Sequence, residues 1–174
     1  MLNRILTFAF LTLPLLAGLP PGRPLPDAFV QLPGGQKLPL KQLRGKPALL
    51  AILSTTCREC TDMVTLLKKL QKEYEPRGLQ IEGIVVQEMA EKLVPLYVQD
   101  QKPTFPFGYM DLPGYQKLVN LRAGEGARLP ILVFVDHKAM VRVVLFGTDP
   151  LLKQPELIIR STVRELLNEQ QSSR

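Results

Sequence analysis

Leu49-Leu50-Ala51-Ile52-Leu53-Ser54-Thr55-Thr56-Cys57-Arg58-Glu59-Cys60 is the stretch whose reading decides the fold. Residues 49–53 form an unbroken apolar run that reads as a buried strand, and the three hydroxyl residues after it read as a turn. Beyond the cysteines, Met63, Leu66, Leu67, Leu70 and Tyr74 share one helical face, while Lys68, Lys69, Gln71 and Lys72 share the other. Strand, turn and helix in that order set Cys57 at a helix N-terminus. Unpaired backbone N–H groups and the helix dipole favour a thiolate there.

That placement gives the Cys-x-x-Cys spacing its chemical meaning. A thiolate attacks a disulfide, and a second thiol one turn away resolves the mixed disulfide within the same molecule. Cys57 and Cys60 are the only cysteines of the chain. A permanent staple is the competing reading, but so short a loop constrains the unfolded chain very little. A zinc site would need more ligands, and the single histidine, His137, cannot complete one with two cysteines. The expectation is therefore a redox pair that cycles through a Cys57–Cys60 disulfide, with no metal and no cofactor.

The flanks carry a family resemblance. Leu25-Pro26-Asp27-Ala28-Phe29, Gly35, Leu40, Leu43-Arg44-Gly45-Lys46-Pro47, Phe105-Pro106, Asp111, Tyr115, Pro130 and Phe134-Val135-Asp136 together resemble the thioredoxin-like TlpA family, over about residues 25–169. Its members are secreted or membrane-tethered thiol–disulfide proteins, often reductants in cytochrome c maturation. Two positions depart from the pattern: Thr56 stands where the family usually has tryptophan, and Glu59 where it often has proline. The resemblance implies an α/β thioredoxin-like fold, a central mixed sheet flanked by helices, with an N-terminal β extension. It also implies that Leu129-Pro130 is a cis-proline loop that faces the dithiol, presents a backbone edge to substrate and keeps metals off the sulfurs.

Thr56, Arg58 and Glu59 are the expected modulators of the pair. Arg58 favours a Cys57 thiolate, whereas Glu59 opposes negative charge on either sulfur, and the net sign stays open. Thioredoxins often carry a buried acid on the strand before the motif, which handles protons for the second cysteine. Here that strand offers Ala51, so Glu59 or water must serve instead.

At 174 residues the chain suits one domain, and 45% hydrophobic content argues against disorder. With 6% aromatics and no tryptophan, the core must be mainly aliphatic. The net charge of +6 comes without any basic cluster interleaved with aromatics, so nucleic-acid binding is not expected. An acidic protein partner or an anionic membrane surface stays open. Residues 1–19 read as a signal peptide or N-terminal anchor: Arg4 is the positive start, residues 5–16 the apolar core, and Leu15-Leu16-Ala17-Gly18 an imperfect cleavage site. The apolar run is short for a membrane span. The folded part is then expected outside the cytoplasm, periplasmic, secreted or N-terminally anchored, where disulfide exchange is permitted. Membrane attachment is expected only if that segment is retained.

Residues 20–26 read as a Pro-rich linker, 27–170 as the domain and 171–174 as a tail. Strands are expected at 28–32, 79–86, 131–136 and 141–146, with helices at 88–98, 115–121 and around Ile159, Val163, Leu166 and Leu167. Pro95 is expected to interrupt or end the second helix, and residues 102–107 to be extended by their prolines. Residues 122–128 read as a loop with two glycines. His137 is expected in an exposed hairpin turn about 23 Å beyond Pro130, at the far end of the sheet.

Three functions fit. The first is a thiol–disulfide oxidoreductase acting on disulfide-containing proteins, supplied by an upstream electron donor and working as a monomer. The second is a peroxiredoxin-like peroxidase, suggested by Ser54-x-x-Cys57, although Leu50 stands where that pattern has proline. The third is a copper-handling or non-catalytic thioredoxin-fold module, for which the cysteine spacing is one residue short.

Overall fold

The computed structural model describes residues 19, 22–122 and 124–173, so residues 1–18 of the leader-like segment lie outside the described residues. In chain order they form β1 (Arg23–Pro24), β2 (Phe29–Gln31), β3 (Lys37–Pro39), a 3-10 turn at Leu40–Leu43, β4 (Ala48–Leu53), α1 (Arg58–Tyr74), β5 (Gln80–Val85), α2 (Ala90–Gln101), β6 (Phe107–Tyr109), α3 (Leu112–Val119), β7 (Ile131–Val135), β8 (Met140–Leu145) and α4 (Pro155–Ser172). One mixed sheet runs in the order β1-β8-β7-β4-β5-β6-β2-β3. The fold is thioredoxin-like α/β.

β4 explains that order. All six of its residues are buried, so it has no solvent face and needs neighbours on both edges. β5 pairs with it in parallel, with Leu53 opposite Val85, and β7 pairs antiparallel, with Ile52 opposite Ile131. Its side chains alternate between two cores. Leu49, Ala51 and Leu53 pack with α1, α2 and α4, including Leu67, Val94 and Val163. Leu50 and Ile52 pack on the other face with Leu40, Leu43 and Leu118 of α3.

The helix after the cysteines buries Cys60, Met63, Val64, Leu67, Leu70 and Tyr74. Val64 thus belongs to the stripe, and Leu66 sits only partly against the core. Pro95 does not end α2, which continues to Gln101. It is exposed, so the carbonyl that loses its donor, four residues earlier at Glu91, also meets water.

Three strands escape the sequence reading, among them Lys37–Pro39, which pairs antiparallel with β2. Arg23–Pro24, within the proline-rich stretch, pairs with Val141 and Met140 at the sheet edge. Phe107–Tyr109 pairs in parallel with β5 and touches β2 through Tyr109 opposite Gln31, which ties the N-terminal hairpin to the sheet. Gly108 permits that contact, since a Cβ there would lie 2.3 Å from the Gln31 carbonyl oxygen. His137 also differs from expectation. It is half-buried rather than exposed, and its Nδ1 is buried without a partner among the described residues. Its backbone carbonyl accepts the Gly45 N–H at 2.8 Å. Among the described residues no helix is long and apolar enough to cross a membrane.

Glu82 in the middle of β5 is 5% exposed, and its Oε2 has no hydrogen-bond partner among the described residues. It shares its sheet face with Ile84, which packs against Leu50 and Ile52. Burial pushes its carboxyl up to about 8. A carboxyl raised in the folded state binds its proton more tightly there than in the unfolded chain. The contribution of Glu82 to stability is therefore fully present below the ordinary carboxyl range and declines as pH rises towards 8, with a slope approaching about 1.4 kcal/mol per pH unit. Urea unfolding at pH 5, 6.5 and 8 should follow that decline, and Glu82→Gln should flatten it. An unchanged slope in the variant would count against a protonated Glu82.

Candidate active site

The end of β4 delivers the site. Residues 54–56 leave the strand, and Cys57, in an extended conformation, caps α1 with its own sulfur. The Cys57 Sγ accepts the backbone N–H of Cys60 at 3.2 Å, taking one of the donors a helix start leaves unpaired. Cys57 is half-buried, whereas Cys60 is 0% exposed in the core beside Met63 and Leu67. Both thiols are free. Burial first, then its side-chain hydrogen bond with Cys57, pushes the Cys60 thiol up to about 12. The two sulfurs are therefore unequal: one is reachable and held by a backbone donor, the other is enclosed and protonated.

Glu59 lies between them on the surface. The Cys57 thiol donates to its Oε2 at 3.7 Å, and Arg128 Nη2 stands 3.8 Å from its Oε1. Its own backbone N–H first, then Cys57, Arg128 and Arg58, hold the Glu59 carboxyl below the usual carboxylate range. Arg58 is exposed at the first helical position. Thr56 is exposed and its hydroxyl meets Ser54 Oγ at 3.1 Å.

Leu129 and Pro130 come in from the neighbouring strand. The bond between them is cis, as the family resemblance implied. Because Ile131 pairs with Ile52, Pro130 enters beside the end of β4, and it lines a cavity of about 390 Å³ together with Glu59, Asp62 and Met63. Gly147 backs this segment: its N–H donates to the Arg128 carbonyl at 2.8 Å, and a Cβ there would lie 2.5 Å from the Leu129 oxygen. The sequence-expected residues thus gather at one end of the sheet. His137 stands at the other end, since Ala48, at the start of β4, pairs with Val135.

Two residues that the sequence did not point to belong here. Gln87, just beyond β5, turns its Oε1 on the cysteine turn and accepts the Thr55 N–H at 2.7 Å, the Ser54 hydroxyl at 2.8 Å and the Thr55 hydroxyl at 3.2 Å. Only the parallel pairing of β4 and β5 brings it there. Tyr97 of α2 meets the Thr61 hydroxyl at 3.3 Å, one residue past Cys60, and burial raises its phenol. Glu82 is the buried carboxylate nearest in kind to a thioredoxin acid, but it faces the opposite core from Cys60.

The model of the AhpC/TSA family matches residues 21–144. Thioredoxin-like protein YneN of Bacillus subtilis (strain 168) is 26% identical over 132 residues, 75% of this chain and 74% of that protein. A thiol:disulfide interchange protein of the thioredoxin family from Chlorobium tepidum TLS superposes with a TM-score of 0.69 at 19% identity, over 85% of this chain and 98% of that one. The thioredoxin domain of a thiol-disulfide oxidoreductase from Bacteroides vulgatus gives 0.64 at 16% identity, over 84% and 99%. These structural likenesses establish the fold.

Two outcomes follow from the geometry. When reduced protein is treated with iodoacetamide at pH 7 to 8.5, adducts mapped by mass spectrometry should fall on Cys57. Cys60 should react only after unfolding, and early labelling of Cys60 would contradict its burial. Gln87→Ala leaves the Thr55 N–H without its acceptor and should lower stability by about 1–2 kcal/mol. Gln87→Glu keeps an acceptor oxygen and should restore most of that loss, read from denaturant midpoints.

Proposed function

This chain belongs to the AhpC/TSA family, and within it we propose a thiol–disulfide oxidoreductase that reduces disulfides of proteins outside the cytoplasm, in the manner of the TlpA-like members. The observation that carries this reading is the inequality of the two sulfurs. Cys57 is accessible and accepts a backbone N–H at 3.2 Å, while Cys60 lies buried one turn on.

The chemistry follows from that arrangement. The Cys57 proton has an acceptor in the Glu59 carboxylate, at 3.7 Å. The Cys57 thiolate attacks one sulfur of a substrate disulfide, forming a mixed disulfide and releasing the other substrate sulfur as a thiolate. Cys60 then attacks Cys57 Sγ, closing the Cys57–Cys60 disulfide and expelling the second substrate sulfur as a thiolate, which takes up the proton that Cys60 gives to solvent. Two electrons have passed to the substrate, so an upstream dithiol donor must return them. The high proton affinity of Cys60 matches a group that reacts second. Leu129 and Pro130 form the backbone edge against which substrate lies, and Thr56, Arg58 and Glu59 tune the nucleophile. The leader-like residues 1–19 and the TlpA-like motifs support the extracytoplasmic setting, cytochrome c maturation among its uses, and a reducing direction.

A peroxidase is the second reading, favoured by family membership and by Ser54, three residues before Cys57. Against it, the Ser54 hydroxyl is spent on Gln87 Oε1 at 2.8 Å, and Leu50 is buried mid-strand. The Cys60→Ala variant, mixed with an extract rich in disulfide proteins, should accumulate mixed disulfides on Cys57, while the wild type consumes little peroxide. Fast peroxide loss with sulfenic acid on Cys57 would favour the peroxidase instead. Neither signal would favour a non-catalytic module.

A further inference from the structure

Two cavities near the dithiol are lined by more acids than bases, in a chain whose net charge is positive. Besides the cavity at Pro130, a larger one of about 610 Å³ opens on the other side of Leu129, beyond the carboxyl ends of β5 and β6. Its floor is apolar, with Val86, Met110, Tyr115 and Leu129, and Met89 and Leu112 at its rim are 60% and 61% exposed. Glu88, Glu91, Asp111 and Glu125 line it, and Glu59 and Asp62 line the cavity at Pro130. Among the described residues, Arg128 is the one basic residue that lines either cavity, and it leans on Glu59 at 3.8 Å. Six carboxylates thus line the two cavities, against Arg128 there and the exposed Arg58 next to Cys57, in a chain whose net charge is +6.

Part of this acidity has local uses. Asp111 accepts the Gly114 N–H at the start of α3, and Glu125 accepts the Arg122 N–H. Glu88 and Glu91 have no salt-bridge partner among the described residues and border the exposed Met89. Gln87 joins the two places, because it lines the large cavity while its Oε1 holds the turn before Cys57. The large cavity and the turn that carries Cys57 are thus joined through Gln87, and the two cavities share Leu129.

We propose that the large cavity is a docking groove for a cationic segment of the substrate protein, one that carries an apolar side chain and a lysine or arginine beside its disulfide cysteine. The apolar floor takes the side chain, and Glu88 and Glu91 take the charge. This rests on the disulfide-exchange reading above and gives it a substrate class. The sign is opposite to the acidic partner that net charge alone suggests. A negative cleft on a positive molecule draws a cationic segment to the dithiol, and its field acts mainly on the association rate.

The test uses the full-length reduced chain and three probes: hydroxyethyl disulfide, which is small and uncharged, and two disulfide peptides with the same leucine but flanking lysines or glutamates. At low ionic strength the lysine peptide should be reduced on the order of tenfold faster than the glutamate peptide. The ratio should fall towards one in 0.5 M salt and in Glu88→Gln/Glu91→Gln. Glu75→Gln/Glu165→Gln, with the same change in net charge away from the groove, should keep it. Equal rates, or a faster glutamate peptide, with hydroxyethyl disulfide still reduced, would overturn the groove alone. Failure to reduce any of the three would overturn the exchange reading itself.

Discussion

The central strand β4 must be buried on both faces and hydrogen-bonded on both edges, and the rest of the molecule answers that constraint. A six-residue strand without a solvent side needs a layer of helices above, another apolar layer below, and two neighbouring strands. The backbone cannot stay in such surroundings once pairing stops, so the chain leaves at Ser54 and turns directly into α1. The two cysteines stand where the strand's constraint ends and the helix's unpaired donors begin.

The chemistry follows from how differently that junction treats two sulfurs three residues apart. One caps the helix and borrows a backbone N–H; the other points into the core between helix and sheet. No extra charged group inside the protein is needed to make them unequal. Burial is the largest cause of the high proton affinity of Cys60, ahead of its hydrogen bond with Cys57. The surroundings then hold the geometry: Gln87 grips the turn from β5, and Gly147 presses against the Leu129 carbonyl from beyond β8. Each belongs to a different strand, so the site is assembled by the sheet rather than by the motif.

Charge is arranged on a larger scale by the same sheet. The carboxyl ends of β4, β5 and β6 share one edge of the molecule, and the acidic residues that follow β5 and β6 are brought together there. Away from that edge four acids are held by two arginines. Arg142 sits between Asp136 at 3.1 Å and Glu169 at 2.6 Å, and Arg160 between Glu73 and Glu156. Of the six described acids that line the two cavities, Glu59 alone has an ion-pair partner, so the charge averaged over the whole chain does not describe the lining of those cavities.

Sequence by itself determined the local facts. The apolar run at 49–53, the stripe from Met63 to Tyr74 and the Cys-x-x-Cys between them fixed strand, turn and helix, because burial periodicity and capping act over a few residues. The family pattern carried the cis bond before Pro130. Tertiary structure decided what depends on residues far apart. Three residues such as Phe107–Tyr109 are too few to show a period and become a strand only because β5 and β2 hold them on either side. Gln87 looks like any loop glutamine until parallel pairing of β4 and β5 carries it to Thr55. Glu82 interrupts an apolar run as a surface residue would, yet it is buried because β5 is covered on both faces. Hydrogen bonds and desolvation at such positions come from partners that only the folded sheet supplies.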